Sequence, residues 1–200
     1  DIKSRAADIT HLIITSCTGF YAPGPDLEII GRYGLGDSVE RTIIGFMGCH
    51  AALHALKQAR HIVRSQVKAQ VLILNLELCT IHLDRPETFE QLLSFALFGD
   101  GCAASLVSAE PEGLELQSFS SAILPRSEGH ITWQIGETGF GMYLSGEVPR
   151  LIRGHLPAFL QNTLQDKRKD VTCWAVHPGG RSVLDAVQAA AGLTDSEIAH

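Results

Sequence analysis

The 200-residue chain is 45% hydrophobic and 19% charged, which places it among ordinary globular proteins able to bury a core. A formal charge of −6 with scattered Lys and Arg excludes the clustered basic face of a nucleic-acid binder. No apolar run is long enough to span a bilayer, and Asp1-Ile2-Lys3-Ser4-Arg5 lacks the apolar core of a signal peptide, so a cytoplasmic location is expected.

Apolar runs alternate with helical patterns, which predicts an α/β chain with a sheet covered on both faces. In chain order the predicted strands are Ile9 to Ser16, Thr42 to Phe46, Gln70 to Glu77, Ala103 to Ser108, Leu114 to Ser121 and Val171 to Val176. Helices are predicted over Asp26 to Tyr33, Ala51 to Ser65, Phe89 to Leu97, Val148 to Leu164 and Arg181 to Ala191. In the second of these, Ala52, Ala55, Leu56, Ala59, Ile62 and Val63 form an apolar stripe opposite Lys57, Arg60 and Arg64, and its alanines suit close packing. Ala109-Glu110-Pro111-Glu112-Gly113 is polar and broken by Pro and Gly, and marks the expected boundary between two halves. The glycine-rich stretch from Leu124 through Gly141 has no firm period and reads as an irregular, site-lining segment. The chain opens without Met and closes on Asp195-Ser196-Glu197-Ile198-Ala199-His200, the start of a helix capped by Asp195 or Ser196, so it is expected to be an internal segment of a longer protein.

The five cysteines are widely spaced and odd in number, with no CxxC pair, so neither a disulfide framework nor a zinc site is expected. Four of them, Cys17, Cys79, Cys102 and Cys173, lie in or beside apolar stretches and read as small hydrophobes. Cys49 differs, because Gly45-Phe46-Met47-Gly48-Cys49-His50 is a glycine-cornered turn between a strand and a helix. A thiol at a helix N-terminus meets unpaired amides and the helix dipole, which predicts a lowered pKa and a nucleophilic thiolate. Downstream, Trp174-Ala175-Val176-His177-Pro178-Gly179-Gly180 presents His177 at the end of an apolar run. A cysteine and a distant histidine are what acyl transfer through a thioester requires, and on spacing alone they also permit a cysteine-dependent hydrolase. His50 adjoins the nucleophile, but successive helical residues point about 100° apart. His54 and His61, seven apart on one helix without a Cys or carboxylate partner, give no metal site. Gly179-Gly180 lacks the Lys-Ser/Thr of a phosphate loop and reads as room for close backbone approach beside His177.

Ile9-Thr10-His11-Leu12-Ile13, Gly19, Pro23-Gly24, Gly48-Cys49, Ala96-Leu97-Phe98-Gly99-Asp100-Gly101, Ile123-Leu124-Pro125 and Trp174 through Gly180 occur together in one order and spacing. In this the chain resembles the type III polyketide synthases, the chalcone and stilbene synthase-like enzymes of the thiolase superfamily, over nearly its whole length. Met47-Gly48-Cys49-His50-Ala51 and Glu77-Leu78-Cys79 are similar to bacterial members.

The resemblance implies a layered αβαβα fold made of two similar halves, incomplete here, and a homodimer. Residues 1–109 would be the C-terminal part of the first half and 110–200 the start of the second. It further implies Cys49 as the nucleophile and His177 as its partner, with a catalytic asparagine past His200. Substrates would be an acyl-CoA starter and malonyl-CoA, with no metal and no other cofactor. Phe98 would be the gatekeeper between coenzyme A tunnel and cavity, where its residue type alone reads as core. Cys79, His82 and Met142 would line the starter and cyclisation pocket, together with Trp133 where plant members often carry a small residue. Cys79 also reads as packing at a strand end, and His82 as a solvent-facing loop residue. The segment alone is expected not to be a competent enzyme. A carrier-protein-dependent ketoacyl synthase III-like enzyme and an inactive scaffold are the alternatives within the fold; the first would expose more clustered basic residues.

Overall fold

The computed structural model describes residues 5–86, 88–137 and 139–198. The expectations about Asp1 to Ser4 and about the last two residues of the terminal helix lie outside them. The chain forms two compact units, one of Asp1–Asp84 with Phe98–Phe119, the other of Arg85–Leu97 with Ser120–His200.

The first unit is a four-stranded sheet of β1 (His11–Ser16), β2 (Glu40–Gly45), β3 (Val71–Glu77) and β4 (Gly101–Val107) in the order β2-β1-β3-β4. β1 runs parallel to β2 and β3, and β4 is antiparallel to β3. Side chains alternate across a strand, so β1 and β3 each feed two cores. Leu12, Ile14, Leu72 and Leu74 face Leu35 and helix α1 (Pro25–Tyr33) through Ile29 and Ile30. Ile13, Val71 and Ile73 face helix α2 (Ala51–Ser65), which presents Ala55, Ala59 and Val63. These alanines let α2 lie close against the sheet, as the alanine-rich stripe predicts; β1 and β3 are covered on both faces, whereas β2 and β4 are largely exposed.

The second unit contains α3 (Phe89–Leu97), the antiparallel hairpin β5 (Ile131–Ile135) and β6 (Phe140–Leu144), α4 (Val148–Leu164), α5 (Arg181–Ala191) and the short α6 (Asp195–Ile198). α3 packs on β6, and α4 packs on α5.

Three expectations are corrected. Leu114 to Ser121 is not a strand, and Leu114 is 95% exposed. The segment is tied down by one side chain: Arg60 of α2 donates from Nε to the Leu116 carbonyl at 2.6 Å and from Nη2 to the Gln117 carbonyl at 2.8 Å. Val171 to Val176 is likewise irregular. A strand exists only through a ladder, and among the described residues neither segment has one. Conversely, the stretch read as irregular from Leu124 to Gly141 holds β5 and the start of β6, whose apolar residues alternate as Ile131, Trp133, Ile135 and Phe140, Met142, Leu144.

Candidate active site

The parallel strands of the first unit deliver its chemistry to one edge. Ser16 pairs with Gly45, and Glu77 with Gly101, so the C-terminal ends of β1, β2 and β3 lie beside the start of β4. Cys17 follows β1 directly, Cys49 comes four residues after β2, Cys79 and His82 bound a 3-10 turn after β3, and Phe98 stands just before β4. Sheets of this kind place their sites at the carboxyl ends of parallel strands.

Cys49 sits in a 3-10 turn, Gly48–His50, that leads into α2. The approach is sharply bent: Phe46 has φ +53° and Gly48 φ +69°, a left-handed pair of which only the second is the residue type that favours it. Cys49 as a residue is exposed. Its sulfur is nonetheless desolvated enough that burial pushes the thiol above its ordinary value; the charges of Cys17 and Glu77 add to the rise, and only its own amide opposes it. The lowering expected at a helix N-terminus is therefore corrected. α2 begins two residues later, at Ala51, and burial of the sulfur outweighs what its own amide contributes. His50 stacks edge-on with His54 at 4.7 Å, and burial followed by the His54 charge lowers its pKa.

Cys17 is the site residue that reading by strand context misses. It stands at the edge of the Cys49 turn and accepts the Gly48 N–H at 3.2 Å. Its own amide donates to Glu77 Oε1 at 2.9 Å and Oε2 at 3.1 Å, and the Thr18 hydroxyl donates to Glu77 Oε2 at 2.8 Å while accepting the Leu78 N–H at 2.8 Å. His82 donates Nε2–H to the Thr18 carbonyl. His82 is thus half-buried and bonded into the turns after β1 and β3 rather than facing solvent from a loop. Cys79 is half-buried too; burial raises its pKa, and Glu77, Asp100 and Cys49 add to the rise. Asp100, beside Phe98, is fixed by the Thr80 amide at 2.8 Å and the Thr80 hydroxyl at 2.7 Å, and those bonds lower its pKa.

In the second unit, Trp133 and Met142 are cross-strand partners of the hairpin, and the Trp133 ring meets Phe140 edge-on at 5.5 Å. One hairpin face therefore carries Trp133, Phe140 and Met142 together. His177 is exposed, and its carbonyl accepts the Gly179 N–H at 2.9 Å. A Cβ on Gly179 would lie 3.6 Å from His177 Cδ2, in ordinary contact. Gly180 is different: at φ +118° and ψ 156° it occupies a region that is essentially glycine-only. Gly180→Ala is expected to destabilise the fold by about 1–3 kcal/mol through backbone strain alone, since its Cβ would meet nothing nearer than Leu97 at 3.9 Å. A lowered denaturant midpoint at unchanged slope would check this. Among the described residues no His, Cys, Asp and Glu side chains gather as a metal-binding group, and no helix is long and apolar enough to cross a membrane.

A mixed-sheet α/β unit with a thiol on the turn after an edge strand, and a second unit carrying histidine before a Gly-Gly pair, are parts of a thiolase-like fold. The solved PKS-I of the brown alga Ectocarpus siliculosus matches with a TM-score of 0.86 at 32% identity, over 97% of this chain and 54% of that one. The 1,3,6,8-tetrahydroxynaphthalene synthase of Streptomyces coelicolor A3(2), a bacterial type III polyketide synthase, matches with 0.85 at 28% identity, over 94% and 56%. The sequence model for chalcone and stilbene synthases, N-terminal domain, matches residues 3–111, and that for the C-terminal domain matches residues 115–199. The chain belongs to the chalcone and stilbene synthase family, the type III polyketide synthases. Among curated relatives, the alpha-pyrone synthesis polyketide synthase-like Pks18 of Mycobacterium tuberculosis is 32% identical over 95% of this chain and 51% of its own length. Bisdemethoxycurcumin synthase of Oryza sativa subsp. japonica is 32% identical over 97% and 52%. The chain spans about half the length of the curated relatives it matches.

Proposed function

We propose that the protein is an acyltransferase that condenses malonyl-CoA onto an acyl-CoA-derived starter held on Cys49. The observation that carries this reading is Cys49, presented on a bent strand-to-helix turn at the edge where β1, β2 and β3 end, in a chain matched to the family almost throughout. Cys49 attacks the starter thioester, coenzyme A leaves, and an acyl-thioester forms on the sulfur. Malonyl-CoA then loses carbon dioxide, and the enolate charge falls on the thioester oxygen, where His177 donates a hydrogen bond. The enolate carbon attacks the acyl carbonyl and releases the Cys49 thiolate; the lengthened chain, now a coenzyme A thioester, is then passed back to Cys49 as coenzyme A leaves. Phe98 presents an apolar face that disfavours the malonyl carboxylate, and by the family resemblance Cys79 and His82 of the first unit and Trp133 and Met142 of the second influence starter choice and cyclisation. Coenzyme A thioesters are substrates, no further cofactor takes part, and the working form is a cytoplasmic homodimer. A fatty acyl starter and an alkylpyrone or alkylresorcinol product fit best, a reading supported by the alpha-pyrone relative.

In this reading His177 also holds Cys49 as a thiolate, since the groups of the first unit push that thiol up. A protonated thiol gains reactivity with pH as its thiolate fraction grows. In the His177→Ala protein, alkylation of Cys49 by iodoacetamide is expected to accelerate about tenfold per pH unit between about pH 6 and 8. With His177 present the rate should be nearly flat. Equal slopes in the two proteins would remove the ion-pair role.

The function is tested by incubating the full-length protein with malonyl-CoA and short, long and aromatic acyl-CoAs, and weighing the products. Extended polyketides are expected, most from long-chain starters. Free acid without extension would make it a hydrolase, and no transfer from any coenzyme A ester would point to a carrier-protein-dependent enzyme or an inactive scaffold.

A further inference from the structure

We infer that Cys17 is a resolving thiol for Cys49: under peroxide the two form a reversible disulfide that keeps the nucleophile from irreversible oxidation. The inference concerns the thiols themselves and holds whichever acyl chemistry Cys49 performs. Three observations carry it. The Cys17 sulfur accepts the N–H of Gly48, the residue adjoining Cys49, at 3.2 Å, which fixes it at the nucleophile's own turn. Cys17 directly follows β1 and Cys49 lies four residues after β2, whose paired C-terminal ends Ser16 and Gly45 put both thiols at one sheet edge. The backbone around Cys17 is braced, with its amide and the Thr18 hydroxyl both bonded to Glu77.

As residues, Cys49 is exposed and Cys17 half-buried, so the turn that carries Cys49 is open to a small oxidant. Burial raises the pKa of the Cys17 thiol and Glu77 adds to the rise, while the Gly48, Met47 and Phe46 amides oppose it. Amides aimed at one point in this way form a nest for negative charge.

The Cys49 thiolate attacks one oxygen of hydrogen peroxide; the O–O bond breaks, hydroxide leaves, and Cys49 becomes a sulfenic acid, oxidised by two electrons. Cys17 then attacks the Cys49 sulfur. The S–S bond forms, the S–O bond breaks, and the departing hydroxide takes the Cys17 proton as water. A dithiol reductant restores both thiols by exchange. Without a resolving thiol, the sulfenic acid is open to further peroxide and reaches sulfinic acid, which does not return. Cys79 also lies in this cluster, but no hydrogen bond of its sulfur to the Cys49 turn accompanies its charge coupling to Cys49.

The test treats the full-length protein with hydrogen peroxide, alkylates remaining thiols, digests with trypsin without reductant and weighs the peptides. Cys17 falls in Ala6 to Arg32, Cys49 in Thr42 to Lys57, and Cys79 with Cys102 in Ala69 to Arg126. The expected result is a cross-link between the first two peptides that vanishes on reduction. In Cys17→Ser the cross-link should be absent and sulfinic Cys49 should rise several-fold. Equal sulfinic acid in both proteins without a cross-link would overturn the inference, as would a cross-link from Cys49 to the third peptide. If Cys17→Ser does not fold, the unaltered protein decides: Cys17 and Cys49 must lose alkylation in step and regain it together with dithiol.

Discussion

Cys49→Ala is expected to lower polyketide formation by roughly 10⁴-fold or more, the scale on which loss of a covalent nucleophile acts. Decarboxylation of malonyl-CoA should survive in the same variant. The distinction follows from what each group does. The sulfur carries the acyl chain, whereas the enolate charge develops on an oxygen of the second substrate, which the thiol does not touch. His177→Ala should strike decarboxylation itself: removing a donor aimed at a developing oxyanion costs roughly 10²–10³ in rate, so decarboxylation falls along with condensation. Mass detection of acetyl-CoA and of extended products separates the two steps. Loss of decarboxylation in Cys49→Ala, or its retention in His177→Ala, would break the assignment of roles. Cys49→Ala should leave stability nearly unchanged, because an exposed residue in a 3-10 turn loses little packing.

The helices were the most legible part of the sequence. Each of Ala51–Ser65, Phe89–Leu97, Val148–Leu164 and Arg181–Ala191 lies where the 3.6-residue pattern predicts, because a helix satisfies its own backbone and announces itself locally. β1 and β3 were legible as short continuous apolar runs, the mark of strands buried on both faces. Leu114 to Ser121 carries a similar pattern and forms nothing of the kind. Its carbonyls go in part to Arg60, a partner no local pattern could supply. The β5 and β6 hairpin failed in the other direction: its alternation was present in Ile131-Thr132-Trp133-Gln134-Ile135 but lay among glycines that argued for loop.

The cysteines show the same limit. Cys49 was recognisable because glycines corner its turn. Cys17 was read as a hydrophobe because it ends an apolar run, and the signal that would have found it is relational: Cys17, Cys49 and Cys79 each fall within four residues of the end of a parallel strand. Parallel register turns three distant sequence positions into one edge. The raised pKa of Cys49 is equally beyond local reading, since it comes first from burial in the folded unit, with Cys17 and Glu77, brought there by β1 and β3, adding to it.

Ile13→Ala is expected to destabilise the first unit by about 2–5 kcal/mol, the range for deleting a buried aliphatic chain and leaving part of its volume empty. Ile13 is 1% exposed at the centre of β1, on the face where Ala55 and Ala59 of α2 are fully buried. Those alanines are the reason to expect the upper part of the range. Their methyls cannot swing into the space, and α2 cannot move inward without dragging the Cys49 turn that precedes it. Strand β1 is held on both sides by ladders to β2 and β3, so the backbone has no slack either. A denaturant titration should show the midpoint fall while the slope stays constant. Ile13→Val, which keeps the branch and removes one methylene, should cost about 0.5–1.5 kcal/mol. Equal losses in the two variants would mean that the face between β1 and α2 is loosely packed, and that the sheet does not fix the position of the Cys49 turn.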